Sequence, residues 1–242
     1  MNLQLETRPF ALELDPRETA VIVVDMQQGF FGRGGAWNRA GVDVTNAQAI
    51  VAPIARVLTV AREVGMPVIY ATMDLDAPAP AGAAPGYWTE ERSSRWVAAG
   101  EPRQGMDSDA GQLAAGVKES DILPELAPRP GETIIVKPRF SAFYDTNLHS
   151  TLTELGVSTL IFTGGTTSIC VESTLRDAFF RDYRCVLLAD CTAEPIGNRL
   201  PRTNRQATLL LVELVYGWVA ESSDLLRALD EQSAALHAAQ AV

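Results

Sequence analysis

Short, nearly continuous apolar runs alternate along this chain with longer segments of helical pattern, and this alternation restricts the fold more than any other feature. Five runs rich in β-branched residues lie at 20–24, 67–72, 133–136, 158–163 and 185–189. Strands that are covered on both faces have this composition because neither of their sides meets water. The alternation therefore predicts an α/β fold with a mainly parallel sheet and helices on its faces.

A sixth strand is predicted near 214–219. The stretch LLLVELVYGWV also fits a helix that runs into a strand, and its periodicity does not decide between the two. Helices are predicted at 46–64, 146–155, 169–182 and 222–239. The first helix follows Thr45, with Gln48 three positions later, which is the spacing of a capping box.

The segment 74–112 fits neither pattern. It contains DAPAPAGAAPGYW and then a charged stretch with a further tryptophan. A long irregular segment inside a compact domain is more often a functional lid than a linker. Because the sequence shows neither an internal repeat nor a domain boundary, residues 1–242 are predicted to form a single domain with a lid or pocket insertion at 74–112.

Charge and composition exclude several classes of function. The formal net charge is −10 and no basic run exceeds two residues, so we expect neither nucleic-acid nor membrane partners. The sequence shows no apolar run long enough to span a bilayer and no secretory signal, and its three cysteines lack metal-like spacing. This pattern predicts a cytoplasmic protein with reduced thiols. The two histidines, His149 and His237, cannot build a multi-histidine metal site.

Three reactive residue types follow three of the predicted strands. Asp25 comes after the strand at 20–24, Lys137 after the strand at 133–136, and Cys170 shortly after the strand at 158–163. The carboxyl ends of parallel strands open on one edge of the sheet, where ligands bind. We therefore expect these three side chains to meet.

Together the three residues can perform nucleophilic catalysis. A helix N-terminus and the Lys137 ammonium are expected to lower the pKa of the Cys170 thiol, and Asp25 would take its proton and deliver it to a leaving nitrogen. The turn 164–167, Gly-Gly-Thr-Thr, would aim N–H groups at the carbonyl oxygen. Each such donor in an oxyanion hole typically contributes about 3 to 4 kcal/mol.

Each of these residues also has an ordinary structural explanation. A cysteine in an apolar segment is usually a small core residue, as we expect for Cys185, and an aspartate after a strand is commonly a turn residue. Lys137, which precedes a proline, fits a solvated strand end. Cys191, which follows the strand at 185–189, is a candidate for the pocket lining. The convergence of all three types on one sheet edge favours a site.

Three motifs carry a family resemblance. VIVVDMQQGF, VKPRFSAF and TGGTTSICVESTLRDAFFRDY, in this order, resemble the isochorismatase-like cysteine hydrolases over roughly residues 18–220. The resemblance implies a doubly wound sheet of six strands and a catalytic triad of Asp25, Lys137 and Cys170. It also implies a cis peptide bond between Gly165 and Thr166, and an oxyanion hole made by the N–H groups of Thr166 and Cys170.

The resemblance also narrows the chemistry. Zinc-dependent nicotinamidases carry Asp-x-His after the second strand, where this chain has Met-Asp-Leu-Asp at 73–76, so neither a metal nor another cofactor is expected. Isochorismatases proper lack the nucleophilic cysteine. The motifs CVESTLRDAFF, KPRFSAFYDT, YGWVAE and GGAWNRAGVDV are similar to ureidoacrylate amidohydrolases. Biuret hydrolases and N-carbamoylsarcosine amidohydrolases share the triad, and the segment 74–104 departs from the ureidoacrylate pattern.

The predicted function is therefore a cysteine-dependent amidohydrolase that cleaves a small amide or ureide through a thioester. Alternatives are hydrolysis of a larger cyclic or natural-product amide, a non-catalytic binding or assembly module, and a thiol sensor that pairs Cys170 with Cys191. The resemblance implies a homo-oligomer, a dimer or tetramer. Residues predicted to bind substrate are Gln27, Phe30, Trp37, Phe140, Phe143 and Tyr144. Further candidates, weighed against core packing or surface exposure, are Trp88, Arg92, Arg95 and Arg139.

Overall fold

The computed structural model describes residues 2–75, 111–197 and 201–240. Its first two strands, β1 (Leu3–Leu5) and β2 (Leu12–Leu14), pair antiparallel as a separate ribbon. Six parallel strands then form the main sheet in the order β5-β4-β3-β6-β7-β8. They are β3 (Thr19–Val24), β4 (Val68–Thr72), β5 (Thr133–Val136), β6 (Thr159–Gly165), β7 (Arg184–Ala193) and β8 (Trp218–Ala220).

Eight helices accompany the strands in the described ranges. They are α1 (Gln28–Phe31), α2 (Ala36–Arg39), α3 (Thr45–Ala49), α4 (Val51–Glu63), α5 (Leu148–Glu154), α6 (Glu172–Phe179), α7 (Asn204–Leu211) and α8 (Ser222–Gln240). Short 3₁₀ turns lie at Pro16–Glu18 and Pro124–Leu126, and π-helical turns at Thr167–Val171 and Val212–Tyr216. None of the described helices is long and apolar enough to cross a membrane.

Helices cover both faces of the main sheet. Val21 and Val23 of β3 belong to a core that contains α4 and α8, whereas Ile22 and Val24 belong to a second core that contains α5 and α6. Successive side chains of a strand point to opposite faces, so β3 contributes to both cores in alternation. This arrangement confirms the predicted α/β fold with a six-stranded parallel sheet.

The order of the strands places the crevice for a ligand. β3, the first strand of the main sheet, lies between β4 and β6, and the chain runs outward from it in both directions. Ligands of such sheets bind outside the carboxyl ends of the strands where this direction changes. That point lies between β3 and β6, the strands that precede Asp25 and Cys170.

Several predicted elements differ in detail. The helix at 46–64 divides at Ile50 into α3 and α4, and its capping box is wrong. Asp43 accepts the N–H of Thr45, and the Gln48 side chain donates to the carbonyl of Phe31, so neither group is left for a reciprocal cap. The helix at 169–182 is a π-helical turn followed by α6. At 214–219 the chain is a helical turn that runs into a strand.

Some expectations fall on residues that the structure does not describe. Residues 76–110, which form most of the predicted insertion, lie outside the described ranges. The candidate binding residues Trp88, Arg92 and Arg95 lie there too. The prediction of a lid at 74–112 therefore stays a prediction.

Candidate active site

The three strand-end residues meet in the structure. Lys137 Nζ lies 2.8 Å from Asp25 Oδ2, and their side chains are 0% and 2% exposed. The Cys170 thiol lies close enough to both groups for their charges to act on its pKa, and Asp25 and Cys170 line the same cavity. The convergence of these side chains follows from the ends of three parallel strands, as the sequence pattern indicates.

Asp25 occupies an uncommon backbone conformation at the end of β3. Its φ is 51°, in the left-handed region that non-glycine residues seldom adopt. Its N–H donates to the carbonyl of Ala71 at 2.8 Å, and its carbonyl accepts the N–H of Gln27 at 2.7 Å. These two bonds fix the turn, which leaves the Asp25 carboxylate between Lys137 and Cys170.

Lys137 reaches the site across a neighbouring strand. β4 lies between β5, which precedes Lys137, and β3, which precedes Asp25. The backbones of β5 and β3 are therefore about 10 Å apart, twice the spacing of adjacent strands. Its N–H donates to the carbonyl of Thr72 at 2.8 Å, which continues the pairing of β5 with β4. Its ammonium also donates to the carbonyl of Arg139 at 3.2 Å. A long side chain is therefore required at this position.

Cys170 lies in the π-helical turn that follows β6. The carbonyl of Thr166 accepts the N–H groups of Ile169 and Val171, both at 3.2 Å. The peptide bond between Gly165 and Thr166 is cis, which confirms this expectation from the family resemblance. Before it, Gly164 has a φ of 103°, and a Cβ there would overlap the backbone of Val24.

Glu194, which follows β7, holds the same turn from the opposite side. Its side chain is buried, and Oε2 accepts the N–H of Ser168 at 2.8 Å and also the Ser168 hydroxyl. Its Oε1 accepts the N–H of Ile196 at 3.1 Å. The motifs did not identify Glu194, although it too is an acid placed just beyond the end of a parallel strand.

Burial dominates the electrostatics of the three residues. It raises the pKa of Asp25, which the Lys137 ammonium only partly offsets. Burial alone would lower the pKa of Lys137, but the Asp25 carboxylate and the Cys170 sulfur together raise it. Burial and then the Asp25 charge raise the pKa of Cys170. The expected lowering of the pKa of this thiol is therefore wrong, because desolvation and Asp25 outweigh the attraction of Lys137.

A narrow cavity opens onto these residues. Aromatic and aliphatic side chains form most of its wall, and its polar lining residues are Asp25, Thr166 and Cys170. The residues that line it are Asp25, Phe30, Phe31, Trp37, Phe140, Gly165, Thr166, Ile169 and Cys170. A small planar group fits such a lining better than a bulky charged group does.

The aromatic wall is a rigid cluster built on α1 and α2. The ring of Trp37 packs edge-on against Phe30 at 4.9 Å and against Phe31 at 5.8 Å, measured between ring centroids. Glu119 fixes α2 by accepting the N–H of Ala36 at 3.0 Å and the guanidinium of Arg39 at 2.8 Å. The wall is thus held by side chains that themselves lie outside the cavity.

Half of the predicted substrate-binding residues line this cavity, namely Phe30, Trp37 and Phe140. Gln27 lies outside it, because its buried amide bonds the backbone of Met73 and the carbonyl of Ser120. Phe143 also lies outside it and packs on Tyr183. Tyr144 is 56% exposed. The sequence did not single out Phe31, although it adjoins Phe30.

The other cysteines lie apart from the cavity. Cys185 is a core residue of β7, as expected, and burial raises its pKa to about 12. Cys191 is buried beside Asp190 and Ser222, outside the lining of the cavity. All three cysteines are free thiols. No group of three or more potential metal ligands occurs in the part of the chain that the structure describes.

Comparison with known proteins assigns the family. The model of the isochorismatase domain matches residues 19–224. Ureidoacrylate amidohydrolase RutB of Stutzerimonas stutzeri is 38% identical over 220 residues, which cover 90% of this chain and 85% of the relative. The RutB protein of Methylobacterium radiotolerans is 37% identical over 219 residues, which cover 90% of this chain and 81% of that relative.

Solved structures agree with this assignment. A cysteine hydrolase from Pseudomonas syringae pv. phaseolicola aligns with a TM-score of 0.68 and 25% identity, over 90% of this chain and 95% of the other. N-carbamoylsarcosine amidase from Thermoplasma acidophilum shares the fold, with a TM-score of 0.58 and 24% identity over 85% and 96% of the two chains. This chain belongs to the isochorismatase family and is an amidohydrolase within it, an enzyme that hydrolyses carbon–nitrogen bonds other than peptide bonds.

Proposed function

We propose that this enzyme cleaves a small amide or ureide through a covalent intermediate on Cys170. The observation that carries the proposal is the contact of Cys170 with Asp25 and Lys137 at the base of a narrow aromatic cavity. The names of the curated relatives, which are ureidoacrylate amidohydrolases, support a ureide as the substrate.

The first half of the reaction forms the intermediate. Asp25 accepts the proton of the Cys170 thiol as the sulfur attacks the carbonyl carbon, and the N–H groups of Thr166 and Cys170 bind the resulting oxyanion. The protonated Asp25 then donates to the nitrogen as the C–N bond breaks. Ammonia or an amine departs and leaves a thioester, which is an S-carbamoyl group when the substrate is a ureide.

The second half restores the enzyme. Asp25, again ionised, takes a proton from water as the water oxygen attacks the thioester carbon. The C–S bond breaks, the proton passes from Asp25 to the sulfur, and the acid or carbamate is released. Lys137 holds the Asp25 carboxylate in place through both halves, and its charge favours the ionised form of that carboxylate.

Release of ammonia from a panel of small substrates tests this proposal. The panel holds ureidoacrylate, its saturated analogue, biuret, N-carbamoyl amino acids, nicotinamide and maleamate. We expect turnover of a ureide that Cys170→Ala abolishes and Cys185→Ala, a change at an equally buried thiol, retains. Activity of Cys170→Ala above a few per cent would exclude the covalent route. If no substrate of the panel releases ammonia but iodoacetamide still labels Cys170, the substrate is a larger amide. If no substrate releases ammonia and Cys170 is not labelled, the protein is a binding module.

We also propose that the chain forms a single domain and acts in the cytoplasm as a homo-oligomer. Large apolar side chains lie exposed along one groove and support self-association: Phe10, Phe179, Phe180, Leu214 and Val215. Light scattering of the purified protein measures its mass. A monomer at micromolar concentration would contradict the homo-oligomer, whereas Phe180→Asp is expected to dissociate it.

A further inference from the structure

Thr166 lines the cavity, and its hydroxyl is buried without a hydrogen-bond partner among the described residues. The residue is 3% exposed and lines the cavity beside Asp25 and Cys170. Its Oγ1 has no hydrogen-bond partner in the described part of the chain. Two other buried threonines are paired, since the hydroxyl of Thr163 donates to Ile22 at 3.0 Å and that of Thr174 donates to Cys170 at 2.7 Å, each time to the carbonyl. The hydroxyl of Thr167, like that of Thr166, has no partner among the described residues.

An unpaired buried hydroxyl destabilises a folded protein, and such groups in native structures call for an explanation. Valine has nearly the same shape as threonine and would avoid this cost. The Asp25 carboxylate is already paired with the Lys137 ammonium, which lies 2.8 Å away. The Thr166 hydroxyl therefore remains to bond a polar group of whatever enters the cavity.

We propose that the Thr166 side chain is a specificity-determining substrate contact that accepts a hydrogen bond from an N–H group at the reacting carbon. This inference rests on the proposed function, in which backbone N–H groups take the carbonyl oxygen. An amide or ureide then has its N–H groups left to bond, and a hydroxyl oxygen accepts them. The contact selects a substrate with a free N–H over an ester or an N,N-disubstituted amide of the same shape.

The test compares Thr166→Val with Thr167→Val on matched substrates. Thr167 is a suitable control because its hydroxyl is also buried and unpartnered among the described residues, yet it does not line the cavity. With the ureide that the wild-type enzyme turns over, Thr166→Val is expected to lower kcat/KM about tenfold, which corresponds to about 1.4 kcal/mol. With the fully N-methylated ureide, which has no N–H group at the reacting carbon, the two variants are expected to match the wild type.

The melting temperature separates this role from a structural one. Thr166→Val removes an unsatisfied group, so we expect it to fold at least as stably as the wild type while its substrate preference falls. An equal loss on every substrate, or no loss on the ureide, would overturn the inference and leave the Cys170 mechanism intact. If the wild-type enzyme shows no Cys170-dependent turnover of any substrate in the panel, the proposed function itself is overturned.

A second measurement needs no turnover. Iodoacetamide carries N–H donors and methyl iodoacetate carries none. The rate at which each reagent alkylates Cys170 is measured, and the ratio of the two rates is divided by the same ratio for glutathione. The resulting normalised ratio reports the hydrogen bond between an N–H group and the Thr166 hydroxyl. This normalised ratio is expected to fall several-fold in Thr166→Val and to stay unchanged in Thr167→Val. An equal ratio in all three proteins would contradict an N–H contact at Thr166.

Discussion

Removal of the Lys137 ammonium tests the electrostatic design of the site most directly. Lys137→Met keeps most of the length of the side chain but leaves the Asp25 carboxylate buried without the cation that lies 2.8 Å away. Loss of one partner from a buried ion pair typically costs about 3 to 5 kcal/mol. If the ammonium stabilises the transition state by this much more than it stabilises the resting enzyme, kcat/KM falls about 10²- to 10⁴-fold, since about 1.4 kcal/mol corresponds to one factor of ten.

The effect on stability has a defined pH dependence. Burial already raises the pKa of Asp25 above its ordinary 3.8, and loss of the ammonium raises it further. In the folded variant, the Asp25 carboxyl then holds its proton more tightly than in the unfolded chain. The variant is therefore most stable below about pH 4, and it loses stability as the pH rises through the pKa of Asp25 in the folded state. The difference from wild type in the free energy of unfolding therefore grows with pH.

The assay is urea unfolding at several pH values together with kcat/KM at each. Lys118→Met is the control, because Lys118 is an exposed lysine on the surface and the sequence contains only these two lysines. Lys118→Met is expected to change neither stability nor rate. A Lys137→Met deficit that stays constant or shrinks with rising pH, or a rate within threefold of wild type, would refute the proposed role of the ion pair.

Three other perturbations test the turn and the thiol. Glu194→Gln weakens the hydrogen bonds to Ser168, so kcat is expected to fall about tenfold while KM stays within twofold. Steady-state kinetics measure both constants, and a change in KM alone would contradict a positioning role. Gly164→Ala forces a Cβ into Val24 at a φ of 103° and is expected to cost more than about 3 kcal/mol in a urea melt, whereas Gly156→Ala, at an open site, costs less. Because the pKa of Cys170 is raised, iodoacetamide is expected to alkylate it more slowly at pH 7 than it alkylates glutathione. The rate of Cys170 alkylation is expected to increase up to pH 9. A rate that does not depend on pH would indicate that the resting thiol is already ionised.

The main sheet could be predicted from sequence because its strands are covered on both faces. β3 and β6 are wholly buried, and each contains a continuous apolar stretch, AVIVV in β3 and LIF in β6. The β1–β2 ribbon has three residues in each strand, too few to stand out from a loop. The predicted capping box at Thr45 was wrong because Phe31, distant in sequence, offers Gln48 a nearer partner.

The positions of the reactive residues could also be predicted, because the carboxyl ends of parallel strands lie on the same edge of the sheet. The full lining of the cavity could not be predicted. α1 and α2 have four residues each, too short for periodicity to tell which aromatic ring faces the cavity and which faces the core. Phe143 and Tyr144 lie in the turns after β5, where no periodicity indicates direction, and one is buried away from the cavity while the other is exposed.

The pKa of Cys170 shows why composition and spacing mislead about charge. A lysine and a helix start near a thiol indicate a thiolate, but a thiolate here would join the Asp25 carboxylate in a buried site with one ammonium, which leaves a net negative charge. A neutral thiol with ionised Asp25 and Lys137 leaves no net charge, so burial favours it. In the proposed mechanism, negative charge passes directly from the sulfur to the carbonyl oxygen of the substrate. Cys170 would then be activated only in the step that consumes the substrate, which fits a resting thiol with a raised pKa.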